Sequence, residues 1–199
     1  MSRWIEPVTL TGEFVTLEPV SLAHCEGLAK AARDGELWKL WYTSVPHPDR
    51  VETYVTTALQ WHEAIDALTF VARRKEDGEI VGSTRYFNVD SNNRRLEIGY
   101  TWYATSAQRT AINTEAKLLL LAHAFDQLKC IAVEFRTHWM NHASRNAILR
   151  LGAKQDGVLR HHQIGADGTL RDTVVFSIVA PEWPTVRHHL KFKLNRLPC

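Results

Sequence analysis

Polar and apolar positions alternate over Phe14-Val-Thr-Leu-Glu18 as in a half-buried strand, and Pro19 ends it. Ser21 is placed to cap a helix running to about Arg33, which Asp34-Gly35 closes. After Pro46-His-Pro48, the spacing of Val51, Tyr54, Val55, Ala58 and Trp61 predicts a helix over about 50–67. Strands follow at 69–73, 80–87 and 96–103, separated by turns at Glu76-Asp-Gly78 and Asp90-Ser-Asn-Asn93. Leu118, Leu121, Ala122, Phe125 and Leu128 then mark a helix from about 113 to 128. A strand at 131–136 leads to a helix over 141–151 that stops at Gly152. Strands near 157–163 and 173–179 flank the turn Ala166-Asp-Gly168, and a last helix begins near Pro184. This order predicts an α+β fold: one mixed, mostly antiparallel sheet of about six to seven strands with helices on both faces. The strand–helix–strand passages at 96–136 and 131–163 leave room for a parallel or splayed pair.

With no repeat or linker, the 199 residues are expected to form a single domain over 1–199. An apolar share of 45% and a charged share of 23% are those of an ordinary globular protein, and a net charge of +2 gives no argument for nucleic acid. The run Leu118-Leu-Leu-Leu-Ala122 is far shorter than the roughly 20 residues that span a bilayer, and the N-terminal segment lacks a secretion signal's apolar core. Cys25, Cys130 and Cys199 are scattered and read as reduced thiols, so the cytoplasm is the expected compartment, with no membrane partner. His138 and His142 stand at i, i+4 without a completing ligand, so no metal is expected. His161 and His162 should point to opposite faces of a strand. The basic segment after Pro184 carries Val186, Leu190, Leu194 and Leu197 on one stripe, which suits docking on its own domain or a homodimer contact.

The most telling stretch is 96–153. A strand that feeds directly into a helix start leaves backbone N–H groups aimed above the sheet, where a phosphorylated ligand is held well. Gln108-Arg-Thr-Ala-Ile-Asn113 supplies those amides, and Arg109 adds charge. The motif Gln108-x-x-Ala111-x-Asn113 resembles the coenzyme A motif of the GCN5-related N-acetyltransferases, in particular the RimJ/RimL-type branch. Glu97-Ile-Gly-Tyr-Thr-Trp102, Asn113-Thr-Glu-Ala-Lys-Leu-Leu-Leu-Leu121, Val133-Glu-Phe-Arg136, Asn141-x-x-Ser144 and Leu151-Gly-Ala153 carry the same resemblance, which spans roughly 9–183. It implies the fold of that family, acetyl-CoA as acyl donor, and a primary amine as acceptor. A peptide or protein N-terminus leads, with a small-molecule amine such as a polyamine or antibiotic behind it. Two departures stand out. Ala111 and Asn113 replace the motif glycines, so Ala111 should be right-handed. Ile148 occupies the position where many members carry a proton-donating tyrosine.

The resemblance places a carboxylate near the acyl group, making Glu97 the candidate base; its alternative is an ion pair with Arg85 or Arg95 across strands. Ser144 would protonate or hydrogen-bond the departing sulfur, or else simply pack. Asn141 would cap its helix or contact the pantetheine arm. A backbone N–H near Trp102 or Tyr103 would polarise the thioester carbonyl, and Gln108, Arg109, Thr110, Ala111, Ile112 and Asn113 would cradle the diphosphate. Trp41, Tyr42 and Arg85 are the candidate acceptor contacts, while Trp38 and Leu40 are expected to bury the early helices against the sheet. A silent acyl-CoA-binding protein is the rival from another class, favoured by Ala111, Asn113 and Ile148.

Overall fold

A computed structural model describes residues 4–65, 67–165 and 167–196; Ala166, Leu197 and Cys199 lie outside them. The chain runs β1 (Leu10–Thr11), β2 (Val15–Pro19), α1 (Cys25–Arg33), α2 (Val51–Ile65), β3 (Leu68–Arg74), β4 (Ile80–Asp90) and β5 (Arg95–Tyr103). It continues through α3 (Ala111–Ala122), β6 (Ala132–His138), α4 (His142–Leu151), β7 (Lys154–Ile164), β8 (Leu170–Val179) and α5 (Trp183–Leu194). One sheet holds all eight strands in the order β1-β2-β3-β4-β5-β6-β8-β7, one more than the upper expectation because two-residue β1 precedes the alternating segment.

Every pairing is antiparallel except β5 with β6, which run parallel only from Arg95↔Ala132 to Glu97↔Glu134. Beyond Glu97 the two strands separate and leave a gap in the middle of the sheet. The second candidate passage, 131–163, holds no parallel pair: β8 intervenes between β6 and β7, pairing antiparallel with both. The reason is local, since the tight β7–β8 turn forces those strands together.

Helices α1 and α2 bury Leu28, Ala31, Val51, Val55 and Ala58 on one face against Val71, Ile80 and Trp102. Helices α3, α4 and α5 cover the other face with Ile112, Leu120, Leu121, Ile148, Leu151, Val186 and Leu190 against Phe70, Ile98, Val133 and Phe176. Val186 and Leu190, half of the C-terminal stripe, are therefore spent on the protein's own core. Ile148 is core as well. Leu40 does not bury the early helices; it is exposed, and Trp38 is half-buried beside His47, because the segment between α1 and α2 runs outward over the sheet's end. His161 has a left-handed φ of 47° within a bulge of β7, so strict alternation lapses there and both His161 and His162 are exposed.

One clasp escapes any reading of periodicity. The Glu115 carboxylate, on buried α3, accepts the backbone N–H groups of Glu13, Phe14 and Val15 at 2.7, 2.7 and 2.8 Å. Gly12 makes the approach possible, since a Cβ there would sit 2.3 Å from the carboxylate carbon. The start of the sheet is thereby tied to the helix that begins the candidate site.

Candidate functional site: the gap between β5 and β6

The site starts from an extra residue in β5. Ser83 pairs with Trp102 but Arg85 pairs with Gly99, so two steps on β4 face three on β5, and Tyr100 takes up the slack with φ 50°. Gly82 lets β4 approach this bulge, for a Cβ there would lie 2.2 Å from the Trp102 carbonyl oxygen. Past the bulge, Ala104 donates to the Val81 carbonyl on β4 at 2.8 Å. By the alternation of an antiparallel ladder the Tyr103 N–H then faces away from β4, toward the gap, while that of Trp102 faces β4. The side chains of both are buried, on opposite faces of the sheet.

The chain leaves β5 through a short turn into α3. Gln108 folds back, its Nε2 donating to the Tyr103 carbonyl at 3.0 Å. Arg109 is left-handed, with φ 62°. Thr110 is the N-cap: its hydroxyl donates to the Ala107 carbonyl at 2.7 Å and accepts the Ile112 N–H at 3.3 Å. Ala111 lies in the helix and is right-handed, as its methyl requires, so the strain sits at Arg109 instead. Ile112 is core. Among the described residues the amides of Arg109, Thr110 and Ala111 meet no acceptor outside the helix, and the buried Asn113 Oδ1 has no partner. Unpaired donors at a helix start, beside a gap in the sheet, fit the diphosphate and amide-bearing arm of coenzyme A.

Glu97 is the last residue of the parallel pairing and is buried. It pairs with neither Arg85 nor Arg95, because Arg95 bonds Glu134 and Arg85 turns toward aromatic rings. Instead Glu97 accepts from Asn88 Nδ2 at 2.7 Å and lies 3.6 Å from Arg136 Nε. Burial pushes its pKa above the ordinary carboxylate value, against the opposing pull of Asn88 and Arg136. Across the gap, Asn141 caps α4 by accepting the Ser144 N–H at 3.0 Å. Ser144 is half-buried.

Trp41 is exposed and sets its ring edge-on to His138 at 4.9 Å, with Tyr42 against both. His138 ends β6, is buried, and accepts the Met140 N–H at 3.0 Å on Nδ1. Sequence reasoning weighed His138 only as a metal ligand. Its alternation with Glu134 and Arg136 along β6 is the signal that would have placed it on the Glu97 face.

On the opposite face, Lys117 of α3 is buried and bonds hydroxyls, with no carboxylate partner among the described residues. Its Nζ donates to Thr84 Oγ1 at 3.0 Å and to Thr101 Oγ1 at 2.6 Å, and burial lowers its pKa to about 7. Below pH 7 the folded and unfolded states are both protonated, and the cost of a buried cation is felt in full. As pH rises above about 7 the folded state sheds that proton first, so stability climbs until the unfolded lysine titrates near 10.4. Lys117→Met should therefore raise stability at pH 6 by about 2–4 kcal/mol and shrink the gain between pH 7 and 10. Urea melts across pH check this; an unchanged slope would show that Lys117 is not buried as a cation.

Comparisons with known proteins bear on the family and the fold. The model of the acetyltransferase (GNAT) domain matches residues 15–154. The Bacillus subtilis protein named "Putative ribosomal N-acetyltransferase YdaF" is 29% identical over 145 residues, covering 72% of this chain and 78% of its own length. The crystal structure of a GCN5-related N-acetyltransferase from Brucella melitensis superposes with a TM-score of 0.86 at 27% identity, over 96% of this chain and 87% of that one. Mycobacterium smegmatis RimJ, solved with CoA-disulfide, shares the fold with a TM-score of 0.79 at 22% identity, over 94% and 95% of the two chains. With a bulged β5, a gap to β6 and a capped α3 at its mouth, the chain belongs to the GNAT family of N-acetyltransferases.

Proposed function

We propose that the protein transfers an acetyl group from acetyl-CoA to a primary amine by direct attack in a ternary complex. The N-terminal α-amine of a peptide or protein is the leading acceptor. The observation that carries this reading is the gap beyond Glu97, flanked by the unpaired amides of Arg109, Thr110 and Ala111 and by a buried carboxylate. The Bacillus subtilis relative, named a putative ribosomal N-acetyltransferase, supports a protein acceptor.

In this reading the amides at the start of α3 hold the diphosphate, Asn113 meets the arm, and the Tyr103 N–H polarises the thioester carbonyl. Glu97 takes the proton of the attacking amine, with its raised pKa bringing it nearer the working pH. An α-amine has a pKa of roughly 7.7–8.0 against about 10.4 for lysine, so near neutrality it is far more often the nucleophile. Ser144 receives the departing sulfur in the role that the buried Ile148 cannot fill. Trp41, Tyr42 and Arg85 line the acceptor's approach. A free-thiol assay with acetyl-CoA and a panel of peptide and small amines tests the proposal. Saturable CoA binding without thiol release on any amine would leave the silent acyl-CoA-binding reading instead.

A further inference from the structure

Arg85 is among the largest fully buried side chains, 2% exposed, yet no carboxylate, carbonyl or hydroxyl among the described residues bonds its guanidinium. Its Nε is buried with no partner at all. What surrounds it is aromatic: the guanidinium carbon lies 4.5 Å from the Tyr100 ring centroid, 4.7 Å from that of Trp61 and 5.5 Å from that of Tyr54. The rings attract the cation but do not use its hydrogen-bond donors. The Tyr54 hydroxyl donates to Ser83 Oγ at 3.0 Å, because the Ser83 hydrogen goes to the Phe70 carbonyl, and its oxygen accepts no bond from Arg85. A buried cation left without an anion is costly, and in folded proteins such groups are normally paired.

Arg85 also lines a cavity of about 160 Å³, whose remaining wall is the same three rings and the hydroxyl-bearing Ser44, Thr53 and Thr57. None of these carries a negative charge. The sheet register sets this cavity beside the candidate base. Arg85 pairs with Gly99 and Phe87 with Glu97, so Arg85 and Glu97 are diagonal neighbours on one face, about 7–8 Å apart at the backbone. The bulge at Tyr100 completes the arrangement by turning that ring onto the same face.

We infer that the cavity over Arg85 binds a carboxylate carried by the acceptor, so that the preferred substrate is a primary amine with a carboxylate close to it. The Trp61 and Tyr100 ring centroids are only 5.7 Å apart, so both rings lie to one side of the guanidinium, and its unbonded terminal N–H donors match the two in-plane oxygens of a carboxylate. With Arg85 and Glu97 about 7–8 Å apart at the backbone on one face, one N-terminal aspartate or glutamate, or one free amino acid, has the size to lie between the two side chains. This inference rests on the amine acetylation proposed above and adds the acceptor's charge to it.

Matched acceptors test it with the full-length protein and acetyl-CoA: aspartyl-alanine amide against asparaginyl-alanine amide for a peptide source, and alanine against alaninamide for a free amino acid. The member with the carboxylate beside its amine should show kcat/KM at least about tenfold higher. The pair that shows the difference identifies the source. Arg85→Gln should abolish the preference by raising KM for the carboxylate-bearing acceptor, with KM for acetyl-CoA unchanged, and Arg85→Lys should restore part of it. Equal use of both members by the unaltered protein overturns the inference while leaving amine acetylation intact, and that comparison stands even where a variant fails to fold. Equal loss of kcat on both members in Arg85→Gln overturns it as well. Should no amine release thiol, amine acetylation itself falls, and calorimetry with N-acetylaspartate against its diamide then decides the pocket: binding of the acid that vanishes in Arg85→Gln upholds the carboxylate site, and no binding removes it.

Discussion

Glu97→Gln is expected to lower kcat about 100- to 10,000-fold while leaving CoA affinity nearly unchanged. Glutamine keeps the shape and can still accept the Asn88 Nδ2 hydrogen bond that measures 2.7 Å in the native site, so the loss isolates proton removal from packing. Native turnover should fall as pH drops through the raised Glu97 pKa, since protonation cancels the base. In the glutamine variant that acidic limb should disappear, and the residual rate should follow the free amine's own ionisation. Arg136, 3.6 Å from the carboxylate, opposes the effect of burial, so Arg136→Met should move the limb to higher pH. A kcat profile with the same limb and height in Glu97→Gln would remove Glu97 from the proton's path.

Ala111→Asp is expected to weaken CoA binding at least about 100-fold, because a carboxylate would stand beside the amides proposed to hold the diphosphate. The same change should not harm the fold. Ala111 is the first residue of α3, where an acidic side chain interacts favourably with the helix dipole by about 0.3–1 kcal/mol. The two expected effects have opposite signs, so a fall in affinity with an unchanged or higher melting temperature cannot come from unfolding. Wild-type CoA affinity in this variant would mean that the coenzyme does not approach the start of α3.

Much of the fold was legible because its elements are long and periodic. The spacing of Val51, Val55 and Ala58 and the leucines of α3 leaves little choice of conformation. The start of α3 moved from Asn113 to Ala111, since Thr110 rather than Asn113 closes the cap. The site was legible in its outline but not in its wiring. That Glu97 faces Asn88 and Arg136 instead of Arg85 depends on the register of three strands and on one extra residue at Tyr100. Gly99 beside Tyr100 is a mark of irregularity in the strand, but a glycine alone does not say which residue is the extra one. Arg85 likewise read as an acceptor contact, yet only folding brings Tyr54 and Trp61, seven residues apart on α2, around its guanidinium.

The clasp at Glu115 answers an objection to an anion site at this helix. A full negative charge one turn in, roughly 6 Å along the axis from Ala111, would ordinarily repel a diphosphate. Here the charge is spoken for: three peptide dipoles from the opposite rim of the sheet converge on it and blunt its field where a ligand would approach. The acid thus serves as an anchor that is electrostatically quiet toward the helix mouth, and the leading strands act as its shield.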